Sequence, residues 1–273
     1  MRISDERLAE IDTRDLFEIA DTLADAAALE TLAHFRSAAL DIANKQATAG
    51  TFDPVTQADR AAEAAMRAVL ERARPRDGIL GEELDRVEGA SGLTWVLDPI
   101  DGTRAYMIGA PTWGTLIALC DDDGPLLGLI DQPFTGERWY GGPGRADIRR
   151  ASGTEPLGTR RGTVMEDALL CSTFPEVGSD EERAAFQRVS QAARLTRYGM
   201  DCYAYGLVAA GCVDLVVEAG LQAYDVCAPI AVIEAAGGIV TDWEGGRADG
   251  GGRVLAAANP QIHQAALELL NAA

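Results

Sequence analysis

One lysine, Lys45, and two histidines, His34 and His263, are all that this 273-residue chain holds of those two residue types. Both histidines fall in Ala/Leu-rich stretches near opposite ends of the chain. That argues against Ser-His or Cys-His nucleophile pairs and against zinc held by three imidazoles. The five cysteines (120, 171, 202, 212, 227) form no C-x-x-C pair. Their odd count and spacing speak against a disulfide framework or a zinc knuckle, and they read as small buried hydrophobes. None has an arginine six residues on, so a cysteine-phosphatase loop is missing. G-x-x-x-x-G-K-[ST] and G-x-G-x-x-G turns are absent as well. No apolar run approaches the ~20 residues of a membrane span. The first residues lack the apolar stretch of a secretory signal, which leads us to expect a cytoplasmic protein.

Positive charge is also scarce. Lys and Arg total 24 against 43 Asp and Glu, a formal net charge of −19. Such a surface repels nucleic acid and anionic membranes, so neither is expected as a partner. A phosphate ester would be repelled too, unless a bound cation inverts the local field.

What the chain does have is carboxylates in telling places. The stretch Trp95-Val96-Leu97-Asp98-Pro99-Ile100-Asp101-Gly102-Thr103 is an apolar run that ends in two acids spaced D-x-x-D. Acids at the end of a buried strand are costly unless paired or bound to a cation. Pro99 fixes its own φ and biases the preceding residues toward extended backbone, so Asp98 and Asp101 can converge on one point. Gly102 permits a close turn, and Thr103 can open a helix whose N–H groups face an anion. Gly81-Glu82-Glu83 follows a short apolar strand, and Tyr224-Asp225 precedes the apolar run 226–236. Singly, Asp98 and Asp101 could be turn formers, Glu82 a surface acid and Asp225 a helix N-cap. Jointly, hard oxygen ligands without histidine suit Mg²⁺ or Mn²⁺.

Around these motifs the spacing predicts helix over 5–45, as one long or two consecutive helices, and a second helix capped by Thr56 and running to about Arg74, with Asp59 at its third position. Strands are expected at 79–81 and 95–98, then an antiparallel meander at 114–120, 126–132 and 138–141. The second half reads strand 168–173, helix 181–194, helix 204–210, strand 213–218, helix 226–236, strands 238–242 and 254–258, and helix 261–271. Mixed sheets between helical layers follow. The Gly/Arg-rich stretch 141–153 looks like a seam between an α+β half (about 5–145) and an α/β half (about 150–273) of a single α/β domain spanning 1–273.

G-E-E, D-P-I-D-G-T and a Y-D ahead of an A-x-x-x-x-x-E-A-A-G-G run resemble the inositol monophosphatase superfamily, in the right order and across essentially the whole chain. The resemblance implies a layered αβαβα sugar-phosphatase-like fold, a homodimer and a Mg²⁺-dependent phosphomonoesterase using two or three ions, with Mn²⁺ a possible substitute. It implies that Glu82, Asp98, Asp101, Asp225 and the Ile100 carbonyl hold metal, with Asp98 bridging two ions. Asp59, Thr103 and Glu82 would form the catalytic group, Asp59 and Thr103 orienting the attacking water. Asp101, Gly102, Thr103, Arg104, Gly199, Asp201, Glu218 and Asp225 would contact a small phosphate monoester. Within the superfamily, D-G-T-R-A-Y, P-T-W-G-T-L-I-A-L and Y-G-M-D-C-Y-A-Y resemble the histidinol-phosphate phosphatase branch. Asp201 stands where inositol phosphatases carry a small residue. Beside Glu218, a second acid favours a cationic alcohol, which histidinol is. Arg104 reads either as a structural salt bridge or as an orienting or phosphate-binding group, and Trp113, Tyr106 and Tyr205 read as packing rather than stacking. Inositol-1-phosphate hydrolysis, or broader sugar or nucleotide phosphatase activity, is the alternative. A metal-binding scaffold with dead chemistry is disfavoured because Asp59, Thr103 and the four ligating acids occur together.

Overall fold

The structure, a computed structural model, describes residues 13–37, 42–44 and 54–272. Its elements in chain order are α1 (Thr13–His34), β1 (Ile42–Asn44), β2 (Pro54–Thr56), α2 (Gln57–Ala73), β3 (Gly78–Gly81), β4 (Thr94–Asp101), α3 (Thr103–Met107), β5 (Gly114–Asp121), β6 (Gly124–Gln132), β7 (Glu137–Gly142), β8 (Arg145–Arg150) and β9 (Gly153–Pro156). There follow β10 (Leu169–Ser172), α4 (Asp180–Ala192), β11 (Leu195–Tyr198), α5 (Asp201–Ala209), β12 (Leu215–Gln222), α6 (Ala223–Ala235), β13 (Ile239–Thr241), β14 (Gly251–Ala257) and α7 (Pro260–Leu270).

Strands β3 to β9 form a seven-stranded sheet in chain order, antiparallel except for the β3–β4 pair. A five-stranded mixed sheet runs β11-β10-β12-β14-β13. Alternation along the first sheet divides its side chains between two cores. Trp95, Leu97, Ile117 and Leu119 pack under α1 and α2, against Leu23 and Met66. Val96, Leu116, Ala118 and Trp139 point the other way, into a core shared with α5, α6 and the near face of the second sheet. On that sheet's far face Leu170, Leu215 and Leu255 meet Phe186 of α4 and Ile262 of α7. The layers are therefore α, β, α, β, α, as the sequence resemblance implies.

Helix α6 lies directly on the first sheet because Gly128 leaves room: a Cβ there would stand 2.4 Å from the Ala228 carbonyl oxygen. Its residues 226–233 are apolar and buried on every side, as befits a helix between two sheets.

Several expectations need correction. Within the helix expected over 5–45, residues 42–44 are extended and pair antiparallel with Pro54–Thr56, so pairing across β1 and β2 overrides an Ala-rich local preference. Positions 5–12, 38–41 and 45 of that expectation lie outside the described residues. The Gly/Arg-rich stretch 141–153 has regular structure of its own. It contains the β7–β8 turn and β8, whose charged residues sit on an outer strand. Strand β11 was not foreseen; it is largely exposed and lacks apolar alternation.

Candidate active site

Strand β4 carries the central acids, and its irregularity is what joins them. Residues three apart on a regular strand face opposite ways. Here Asp98 pairs with Leu116 and Asp101 with Gly114, so β4 spends one more residue than β5 across the interval. This bulge falls at Pro99-Ile100, where proline has no ladder N–H to give up. The Thr115 hydroxyl holds the Pro99 carbonyl (2.8 Å) and Asp98 Oδ1 accepts from the Ile100 N–H (3.0 Å). Asp98 and Asp101 then share one side of the strand with Asp225 of α6, a carboxylate oxygen of each within 4.8 Å of the others.

Asp225 is not the N-cap of α6. Gln222 is the N-cap residue and Asp225, three residues on, accepts the Gln222 N–H (2.7 Å). Its second oxygen is left to face the cluster. Glu82, just beyond β3, is close enough for its charge to act on both Asp98 and Asp225. Asp59 lies fully buried in the first turn of α2 and acts on Asp98 as well.

The electrostatics call for a cation. Burial pushes Asp98 well above the usual carboxylate range, and the charges of Glu82, Asp101, Asp225 and Asp59 add to it. Burial also lifts Asp101, with Asp225 and Asp201 contributing, although the Cys202 N–H donates to it at 2.6 Å. Asp225 is pushed up to about 7, chiefly by burial. Gathered acids of this kind, all oxygen donors, are a fitting seat for a hard divalent ion.

At the start of α3, Gly102 adopts φ 83°, and a Cβ there would stand 2.9 Å from Asp201 Cβ and Cγ. The Thr103 hydroxyl donates to the Ile100 carbonyl (3.2 Å). Asp201 thus sits immediately over the D-G-T turn, itself at φ 44°, and burial followed by the Glu218 charge lifts it to about 7, against the pull of Arg104. Gly199 is fixed by its N–H to the Ser172 and Thr173 carbonyls, and its own carbonyl accepts from Thr112 (3.1 Å).

Glu218 is more enclosed than the sequence suggested. One oxygen takes the Thr173 N–H and hydroxyl (2.8 and 2.5 Å), the other the Tyr205 hydroxyl (2.7 Å), and only 5% of the residue is exposed. Glu218 therefore acts on the site through its charge, while Asp201 lies against the D-G-T turn. Arg104 stacks over the half-exposed Phe174 at 4.7 Å. Tyr106 and Trp113 are packing residues of a small aromatic core with Phe35, as expected. Thr173, Phe174 and Gln222 were missed: none belongs to a motif that carries chemistry.

The chain matches the model of the Inositol monophosphatase family over residues 12–273. It is 41% identical to the bifunctional phosphatase IMPL2 of Arabidopsis thaliana, covering 98% of this chain and 79% of that one. It is 34% identical to the histidinol-phosphatase of Mycobacterium tuberculosis, over 95% and 99%. An inositol monophosphatase structure from Zymomonas mobilis superposes with a TM-score of 0.82 at 40% identity, covering 95% and 99% of the two chains. Fold, motif order and acidic cluster agree with that match, and the chain belongs to the inositol monophosphatase family, a family of metal-dependent phosphatases.

Proposed function

We propose that the protein is a Mg²⁺-dependent phosphomonoesterase that hydrolyses L-histidinol phosphate to histidinol and phosphate. The carboxylate trio Asp98, Asp101 and Asp225 carries the metal-dependent part of this reading. Asp201, seated against Gly102 and backed by the Glu218 charge, supports a cationic leaving alcohol. Relatives named histidinol-phosphatase at 34% and 35% identity, each over 95% of the chain, support the same substrate.

Glu82, Asp98, Asp101, Asp225 and the Ile100 carbonyl would hold two or three ions. Bound there, magnesium acidifies water and stabilises charge on the phosphoryl oxygens. The residues do the rest. Asp59 accepts the proton of the attacking water and Thr103 orients it, with Glu82 completing the catalytic group, while the leaving alkoxide takes its proton from a water molecule rather than from a side chain. The Gly102 and Thr103 N–H groups hold phosphate oxygens, and Arg104 adds positive charge at the rim. Asp201 takes the substrate ammonium or imidazolium in a charge-assisted hydrogen bond, with Gly199 and Glu218 shaping that end of the site. The transition state is metaphosphate-like and needs charge stabilisation more than covalent help. The same reading carries a cytoplasmic homodimer. Among the described residues, no helix is long and apolar enough to cross a membrane.

Phosphate release is measured with Mg²⁺ and with chelator, on histidinol phosphate, inositol 1-phosphate and fructose 1,6-bisphosphate. Activity should depend on Mg²⁺ and kcat/KM should be highest for histidinol phosphate. A higher value for inositol 1-phosphate replaces the substrate assignment while leaving the phosphatase reading intact.

A further inference from the structure

Helix α2 presents Asp59, Glu63 and Arg67 at successive four-residue intervals, one stripe of one face. Asp59 acts on the acidic cluster. The two residues below it have no place in the reaction as described, and both are buried. Glu63 Oε2 accepts the Glu83 N–H (2.7 Å), and Oε1 accepts the Leu84 N–H (3.2 Å) and the Arg67 Nε–H (2.8 Å). Arg67 then donates Nη1 to the Asp85 carbonyl (2.9 Å) and Nη2 to the Leu84 carbonyl (3.0 Å). Two side chains of one helix thereby grip three consecutive residues, 83–85, directly after Glu82. On its other side, Glu82 gives its N–H to the Leu97 carbonyl (3.2 Å), the residue before Asp98. The fit is close: a Cβ on Gly81 would lie 2.0 Å from Glu63 Oε1.

An ion pair at this depth is an expensive way to hold a fold together, because its desolvation offsets its attraction and an apolar pair of similar size would serve as well. A carboxylate does something an apolar side chain cannot. It accepts two adjacent backbone N–H groups and fixes the loop direction. Glu82 lies outside the trio whose oxygens fall within 4.8 Å, so its place relative to Asp98 depends on that loop. We propose that Glu63 and Arg67 are positioning residues for the metal site: their clamp on residues 83–85 sets Glu82 against Asp98 and so sets the affinity for the divalent ion. The proposal rests on the reading of Glu82 as a ligand.

The test titrates the full-length, metal-stripped protein with Mn²⁺ and with Mg²⁺ by calorimetry, and follows the metal-induced rise in Tm. The variants are Glu63→Gln, Arg67→Lys and Glu82→Gln. Outer groups that orient ligands typically change metal affinity 10–100-fold. Glu63→Gln should weaken binding within that range, and kcat at saturating Mg²⁺ should recover further than kcat at limiting Mg²⁺. Arg67→Lys keeps the carboxylate but loses the fork to Leu84 and Asp85, so a several-fold weakening is expected; it supplies the reading should Glu63→Gln fold poorly. Lower Tm in either variant with metal affinity within twofold of the parent overturns the clamp, provided Glu82→Gln binds weakly. If Glu82→Gln also binds normally, Glu82 is not a ligand, and the proposal falls with that reading.

Discussion

Asp98 is surrounded by four negative neighbours, Glu82, Asp101, Asp225 and Asp59, all acting to raise its pKa. A site with that arrangement trades stability for affinity. Asp98→Asn should therefore act in two directions. Assayed with Mg²⁺, kcat/KM should drop by about 10²–10³-fold or more, the scale of losing one group that stabilises transition-state charge. Unfolded without metal, the variant should melt higher than the parent, because folding no longer has to bury this carboxylate charge or take up a proton to neutralise it. Near-normal turnover would remove Asp98 from the site. Asp201 makes a narrower prediction. Its φ of 44° is tolerated by asparagine, so Asp201→Asn deletes charge with little backbone strain. KM for histidinol phosphate should rise by roughly 10-fold or more, the scale of one charged hydrogen bond. KM for an ester of an uncharged alcohol should hardly move. Equal changes on both substrates would exclude a cation-reading role.

Among the elements, α6 is tightly specified, since it runs against the backbone of β6. Gly128→Ala places a methyl 2.4 Å from the Ala228 carbonyl oxygen and 2.9 Å from its Cα, and neither is a flexible side chain. Overpacking of this kind costs about 1–3 kcal/mol, to be read as a lower urea midpoint with unchanged slope. The elements also show where sequence reading succeeds. The run 95–98 announces β4 because six of its eight residues are buried and it ends in acids that need a reason. Helix α2 and the meander β5–β7 are legible from 3.6- and 2-residue periods. β11 and β8 are not, because strands exposed at or near a sheet edge carry no apolar alternation. The bulge at Pro99-Ile100 left a proline as its trace, but the register that makes it visible belongs to the partner strand. Glu63 looks in sequence like one more acid on an amphipathic helix. Its role depends on which loop lands on it, and the chain encodes that only through the whole fold.

At the scale of the molecule, buried acids set how stability follows pH. Asp201 and Asp225 are held up to about 7, above their ordinary value near 3.9 when unfolded. Between those values the folded state binds more protons than the unfolded one, so stability falls as pH rises and the loss is complete above about 7. His263, pushed down by burial, works the opposite way near and below 6.5, but it is a single group. Metal-free protein should thus show a declining Tm from pH 5.5 to 8, and saturating Mg²⁺ should flatten or reverse the slope. A Tm rising over that range without metal would contradict the buried-acid picture. The trio has one more property that depends on its origins. Asp98 and Asp101 come from a strand of the seven-stranded sheet, whereas Asp225 sits where the chain leaves the five-stranded one. An ion held among them works as a rivet between distant stretches of the polypeptide. Loading it removes chain entropy from any partly opened form, so the enzyme becomes hardest to pry apart at the moment it is equipped to react.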